Sequence, residues 1–454
     1  MSSWELKKLS EVADIIGGAT PKSDVDEYFN GDIPWITPKD LSGYKNRYIS
    51  KGERNITKLG LENSSAKLLP KGAVLFTSRA PIGYVAIADN EVSTNQGFKS
   101  LVLKDGNIPE FFYYLLKHNV PLFEARATGS TFKEVSGQVV KNTELLIPSI
   151  DIQKKIVDLV SPLDEKIELN TQINQTLEQI AQTIFKSWFI DFDPVHAKAN
   201  ALASGQTLEQ ATQAAMTVIS GKNTQELHRL QTANPEQYQQ LWEIAEAFPS
   251  GFDEEGVPRG WEEKPLPELI DFLEGPGIRN WQYTEEEDGI KFINIRCIKN
   301  GDLSLETANK ITKEDAFGKY AHFQLKEDDI VISTSGTLGR FALVRNEHLP
   351  LCLNTSVIRF RPIENKSTLA FLLGLASNQL QYELEARASG SVQRNFGPTH
   401  LKKISVLLPD FYLLSLHNKY LSTLFELRKS NLRECDLLMK TRDVLLPKLL
   451  SGEV

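Results

Sequence analysis

The stretch Ile156–Ile184, IVDLVSPLDEKIELNTQINQTLEQIAQTI, decides how this chain is built. A spacing of seven picks out Ile156, Leu163, Asn170, Leu177 and Ile184, with Leu159, Ile173 and Ile180 on neighbouring positions. Apolar residues at that period place one seam along a long helix. The seam recurs 261 residues further on, in His417, Leu424, Asn431, Leu438 and Leu445. Each helix could pack on its own globule. Two equivalent seams in one chain favour two antiparallel helices packed as a coiled coil, because each covers the other's apolar stripe. Asn170 and Asn431 occupy one repeat position, where a polar residue either fixes the register of a seam at a cost in stability or faces solvent.

Outward from the helices, the rest of the chain also repeats. WELKKLSEVADIIGG from Trp4 aligns with WEEKPLPELIDFLEG from Trp261, and IPWITPKDL from Ile33 with IKFINIRCI from Ile290. GAVLFTSRAPIGYVAIAD from Gly72 aligns with DDIVISTSGTLGRFALVR from Asp328, and RATGSTFKEVSG from Arg126 with RASGSVQRNFG from Arg387. Four collinear pairs point to a duplication. In each half a short apolar run, Val74–Phe76 or Ile330–Ile332, leads through a Ser/Thr/Gly turn into a second strand-like run, the pattern of a hairpin. IPEFFYYLLKH and STLAFLLGLASNQLQYELEARA have the apolar spacing of helices, the first opening at Pro109 where a missing N–H costs nothing. The expected fold is mixed α/β: two similar globules related by a pseudo-twofold, separated by the paired helices. The corresponding segments are 1–150, a helical spacer at 151–193, a helical insert and linker at 194–257, 258–410, and a second spacer at 411–454. The insert has no counterpart in the second half; it either carries the chain back or offers a docking surface.

The totals bound the function. At 454 residues the chain exceeds the usual size of one domain. Cys297, Cys352 and Cys435 form no CxxC, and the histidines show no metal-binding spacing, which predicts neither a disulfide framework nor a zinc site. No apolar run reaches membrane-spanning length, and a cytoplasmic protein without a membrane partner is expected. The net charge of −8 argues, taken alone, against nucleic acid. Residues 151–257, however, hold 16 acidic against 7 basic side chains, which leaves both globules near neutral. A protein–protein scaffold stays open on the acidic total.

These features together resemble the specificity subunit of type I restriction–modification systems. LLIPSIDIQKKIVDLVSPLDEKIELNTQINQTLEQIAQTIFKSWFIDFDPV, from Leu145, is similar to the family's central region, and LLPKLLSGEV to its C-terminal end. The resemblance implies that 1–150 and 258–410 are target-recognition domains, each reading one half of a split double-stranded DNA site. It implies that the helices set the gap and dock two methyltransferase subunits, which restriction/translocase subunits join. It implies methylation at adenine N6, with S-adenosylmethionine, ATP and Mg held by the partners and no cofactor here. A helix of about 35 residues near 155–189 is about 50 Å long, or roughly fifteen base pairs of B-DNA.

The residues agree with a chain that is not the catalyst. They contain no [DNS]PPY-type methyltransferase motif and no phosphate loop, only a lone Gly275-Pro276-Gly277. The charges of Asp164–Lys166 read as solvated helix charge. Base readers are expected on Ser/Gly/Thr-rich turns carrying Arg, Lys or Asn, since loops on a rigid scaffold carry function and base-edge contacts specify. The candidates are Lys39, Thr77, Ser78, Arg79, Ser130 and Lys133 in the first half. Their counterparts are Arg296, Ser333, Thr334, Ser335, Arg340, Ser391, Arg394 and Asn395. Arg can pair with guanine and Asn with adenine, each good pair giving about 1 to 3 kcal/mol of discrimination; ordinary hairpin turns with solvated charges are the alternative.

Overall fold

The computed structural model describes residues 4–79, 81–129, 133–378, 380–387 and 397–452. The chain forms two compact units, Met1–Gln172 with Leu432–Val454, and Ile173–Asn431. Two long helices, Ile150–Phe189 and Phe411–Ser451, each contribute one half to each unit.

In the first unit Trp4–Lys8 pairs antiparallel with Glu144–Pro148, immediately before the long helix. A five-stranded sheet has the order Ala13–Gly17, Lys99–Leu103, Val74–Ser78, Ile82–Ala88, Tyr48–Ile49. A smaller sheet sets Phe29–Ile36 between an antiparallel Arg54–Ile56 and a parallel Ser93–Thr94. Val74–Ser78 is buried along its whole length, which explains why it reads as a continuous apolar run and not an alternating one. The helix Pro109–His118 has proline in its first turn and packs Phe111, Phe112 and Tyr114 into a core shared with Phe76, Phe123, Ile156, Val160 and Leu449.

The second unit repeats this order, except that among the described residues its main sheet has four strands and lacks a counterpart of the Tyr48–Ile49 edge strand. Glu262–Pro265 pairs antiparallel with Ser405–Leu408 just before the second long helix. A sheet runs Ile270–Glu274, Val357–Pro362, Ile330–Ser333, Phe341–Leu343. Ile290–Phe292 lies between an antiparallel Lys310–Ile311 and a parallel Leu351–Cys352. A parallel neighbour within an otherwise antiparallel motif is an uncommon arrangement to acquire twice. The same pairing at matched positions is therefore structural evidence for duplication.

The helix seam is antiparallel within each unit. In the first, Arg442 Nη1 donates to Asp164 Oδ1 at 2.7 Å, and Asn170 Nδ2 donates to Glu434 Oε2 at 2.7 Å. In the second, Asn431 Nδ2 donates to Asn174 Oδ1 at 3.0 Å, and Trp188 stacks on Tyr420 at 5.6 Å between ring centroids. Asn170 and Asn431 are both buried, so of the two readings open for them the seam is the one realised. The neighbouring positions need correction. Leu159 and Ile180 are 60% and 41% exposed, and Ile173 is half-buried. The second seam position falls four residues after the first, at Val160, Ile167, Asn174, Ala181 and Trp188. A helix repeats every 3.6 residues, so steps of three and of four both fit a heptad, and only the packed neighbour decides between them.

The reading of Asp164–Lys166 as solvated charge holds for Glu165 and Lys166, which are exposed, and fails for Asp164. Asp164 is buried, accepting from Arg442 and from the Tyr114 hydroxyl at 2.6 Å. Burial and the Asp164 carboxylate push the Tyr114 phenol up. Arg47, 2% exposed, donates to Tyr114 at 3.1 Å and to Ser161 at 2.6 Å, which ties a globule loop to the helix inside the first unit.

Residues 194–257 fold as helices that follow the first long helix: Asp193–Ala203, Leu208–Ser220, Thr224–Ala233 and Pro235–Ala247. Val195, Met216, Leu241 and Phe248 join one core with Leu266, Phe371 and Leu413, which makes the insert part of the second unit. Buried Lys198 donates to the carbonyls of Ala245 at 3.1 Å and Phe248 at 2.6 Å, satisfying the end of the last of these helices.

Candidate nucleic-acid interface

Three loops meet at one end of the first unit. The first, Thr37–Lys39, follows Phe29–Ile36 and is closed by Asp40, whose Oδ2 accepts from the Thr37 amide at 2.7 Å. The second is the hairpin turn entered through Arg79, and the third is Asn95-Gln96-Gly97. Their side chains line an open groove of about 270 Å³. Gly18 seats the third loop: a Cβ there would sit 1.9 Å from the Asn95 carbonyl oxygen. Only glycine admits that approach.

The second unit repeats the device. A Cβ at Gly275 would lie 2.1 Å from the Asn354 carbonyl oxygen, so Gly275-Pro276-Gly277 serves to seat the loop Asn354-Thr355-Ser356. The amide of Thr334 donates to Ser356 O at 2.9 Å, as the amide of Ser78 donates to Gly97 O at 2.7 Å. The position of a Gly336 Cβ is 3.8 Å from Ile295 Cδ1, which brings the turn holding Arg296 beside the hairpin turn.

The sequence candidates divide. Thr77, Ser78, Ser333 and Thr334 are buried, and the first three spend their side chains on the fold. Thr77 Oγ1 accepts from the Tyr84 amide at 2.8 Å, Ser78 Oγ donates to Gly97 O at 3.2 Å, and Ser333 Oγ donates to Thr337 O at 2.6 Å. Their buried side chains line the inside of the turns in this structure. Lys39, Lys133, Arg296 and Arg340 are exposed, and Arg79 and Ser335 are partly so. Lys39 and Arg79 stand together on the groove. Ser130, Ser391, Arg394 and Asn395 lie outside the described residues.

The groove cations are paired with carboxylates. Lys39 Nζ is 2.6 Å from Glu53 Oε2, a bond that raises the lysine pKa, and Arg79 Nη1 is 3.1 Å from Glu134 Oε2. Glu134 also lies 3.6 Å from Lys99 and is held by paired backbone bonds with Thr128. These carboxylates account for globules that look neutral in composition while presenting cations locally.

Sequence reasoning passed over Asn95 and Gln96. Their signal was the short run TNQG, two carboxamides in a turn between strands, aligned with LNTS in the other half. Among the described residues no cluster of three or more His, Cys, Asp or Glu could hold a metal, and no helix is long and apolar enough to cross a membrane.

A duplicated α/β module, with unlike side chains on matched loops and paired long helices, defines a modular recognition subunit. The model of the type I restriction modification DNA specificity domain matches residues 1–179 and 258–432, and the chain belongs to that family, the specificity subunits of type I restriction–modification systems. Its relatives include the type I restriction enzyme MjaIX specificity subunit of Methanocaldococcus jannaschii, 31% identical over 99% of this chain and 93% of that one. The HindI specificity subunit of Haemophilus influenzae is 35% identical over 95% of this chain and all of that one. The crystal structure of a type I S subunit from M. genitalium shares the fold, with a TM-score of 0.52 over 98% of this chain and 96% of that one, at 18% identity.

Proposed function

We propose that each unit reads one half of an asymmetric, bipartite double-stranded DNA site, and that the chain itself catalyses nothing. The carrying observation is that matched loops on matched scaffolds bear different side chains: Lys39 against Arg296, Arg79 against Ser335, Gln96 against Thr355. A duplicated scaffold that kept its sheets and changed its exposed loops reads two different sequences. The long helices set the unread gap and dock two methyltransferase subunits, which restriction subunits join in a cytoplasmic complex. Methylation at adenine N6 requires flipping the base into an enzyme pocket, which in this reading belongs to the partner along with S-adenosylmethionine, ATP and Mg.

Exchanging residues 1–150 for those of a relative tests the modular reading: one half of the methylated sequence changes. A change in both halves sinks it. Inserting four residues near Thr176 tests the ruler, which requires a wider gap and is lost if spacing holds. The competing reading as a protein scaffold predicts no salt-sensitive DNA binding in the presence of the methyltransferase partner, where phosphate contacts predict an affinity that falls steeply with salt.

A further inference from the structure

Of the uncharged side chains on the first groove, one is both exposed and pre-oriented. Asn95 is committed to the loop: its Oδ1 accepts from the Gly97 amide at 2.9 Å and its backbone amide donates to Ile36 O at 3.0 Å. Asn354, its counterpart, is likewise committed, its Oδ1 accepting from the Ile278 amide at 3.2 Å. Lys39 and Arg79 are held by carboxylates. Gln96 differs from all of these. It is exposed on the groove, and its carboxamide oxygen is held by the hydroxyl of Thr20 on the neighbouring strand exit.

We infer that Gln96 is a specificity-determining residue of the first unit, and that it reads an adenine in the major groove. A hydroxyl bonded to one lone pair of Oε1 leaves the second lone pair and both Nε2 hydrogens for a ligand. That remaining set, one acceptor beside one donor in a plane, is complementary to adenine N6–H and N7. The Thr20 contact holds the rotamer before binding, which lowers the ordering cost of the contact. Lys39 and Arg79 flank it as point charges for phosphates, which place the duplex without reading it. Thr355 occupies the matched place in the second unit, with its backbone amide bound to Pro276 O at 2.9 Å. Its shorter side chain offers a hydroxyl and a methyl, so the two halves present different chemistry at one scaffold position.

This assignment rests on the proposed reading of DNA by the first unit, and the experiment separates the two. The full chain, assembled with its methyltransferase partner, is presented with a randomised DNA library, and the methylated sequences are read. Wild type, Gln96→Ala, Gln96→Glu and Lys39→Ala are compared. The expected result is that Gln96→Ala relaxes one adenine position of one half-site, its discrimination falling by about 5- to 150-fold, while every other position is retained. Gln96→Glu, which keeps the acceptor and loses the donor, shifts preference at that position away from adenine. Lys39→Ala weakens methylation of all sequences alike. If wild type yields a bipartite motif and both Gln96 variants return it unchanged, the assignment is overturned while the reading of DNA by the unit stands. If wild type yields no motif, the proposed function itself fails.

Discussion

His417 turns acid pH into a lever on the second unit. Its ring is fully buried among Phe185, Trp188 and Phe189, at centroid distances of 6.4, 5.3 and 4.8 Å, and neither ring nitrogen has a hydrogen-bond partner. Burial lowers its pKa from 6.5 to about 3. A histidine whose folded pKa is depressed binds its proton more readily when unfolded. Its full contribution to stability is therefore present above the unfolded pKa and is lost as pH falls from about 6.5 toward 3. Each pH unit in that window is worth about 1.4 kcal/mol. The loss reaches about 1 kcal/mol at pH 5.5 and about 3 kcal/mol at pH 4.5 relative to pH 8. His417→Phe removes the titration and keeps an aromatic ring in an aromatic site. Urea unfolding of the full chain, followed by circular dichroism at pH 8, 5.5 and 4.5, reads the result. The gap between variant and wild type should widen in the variant's favour by those amounts as pH drops. A gap independent of pH refutes the account, because carboxylates and other histidines are common to both proteins and cancel.

Three further outcomes follow from particular contacts. A Cβ at Gly374 would lie 2.0 Å from the Phe185 ring, so Gly374→Ala overpacks the helix crossing and costs about 1 to 3 kcal/mol or more, seen as a lower melting temperature; pairing it with Phe185→Leu recovers part of the loss. Asp164→Ala leaves the Tyr114 hydroxyl without its acceptor and half-buried Arg442 with Asp443 alone, and destabilises the first unit by about 1 to 3 kcal/mol, measured by urea unfolding. Lys39→Ala lowers the slope of log affinity against log salt by about 0.9 in a titration of the assembled complex on its DNA, if the lysine neutralises one phosphate.

Most of the architecture was legible because it was written twice. Trp4 begins one strand and Trp261 immediately precedes its match, the hairpins at Val74–Ser78 and Ile330–Ser333 pair as their turns announce, and the heptads form helices. The candidate site was legible only as a set of loops. Turn composition marks where a chain reverses, but the hydroxyls of Thr77, Ser78 and Ser333 that helped mark the turns are the ones folded inward to close them. Gln96 stood in plain view, yet nothing in a linear sequence places it opposite Lys39 and Arg79, 57 and 17 positions away.

The sequence alone determined the duplication, the helices and the loops that vary, because periodicity and repetition are properties of order along the chain. The tertiary structure decided which face of each helix is covered, which left Leu159 in solvent and buried Val160. It decided that Asp164 is a buried partner of Arg442, and that Asn95 is spent on its own loop while Gln96 stays exposed with only its oxygen held by Thr20. Exposure and pairing depend on what packs from a distance, and residue identity carries no record of its neighbour.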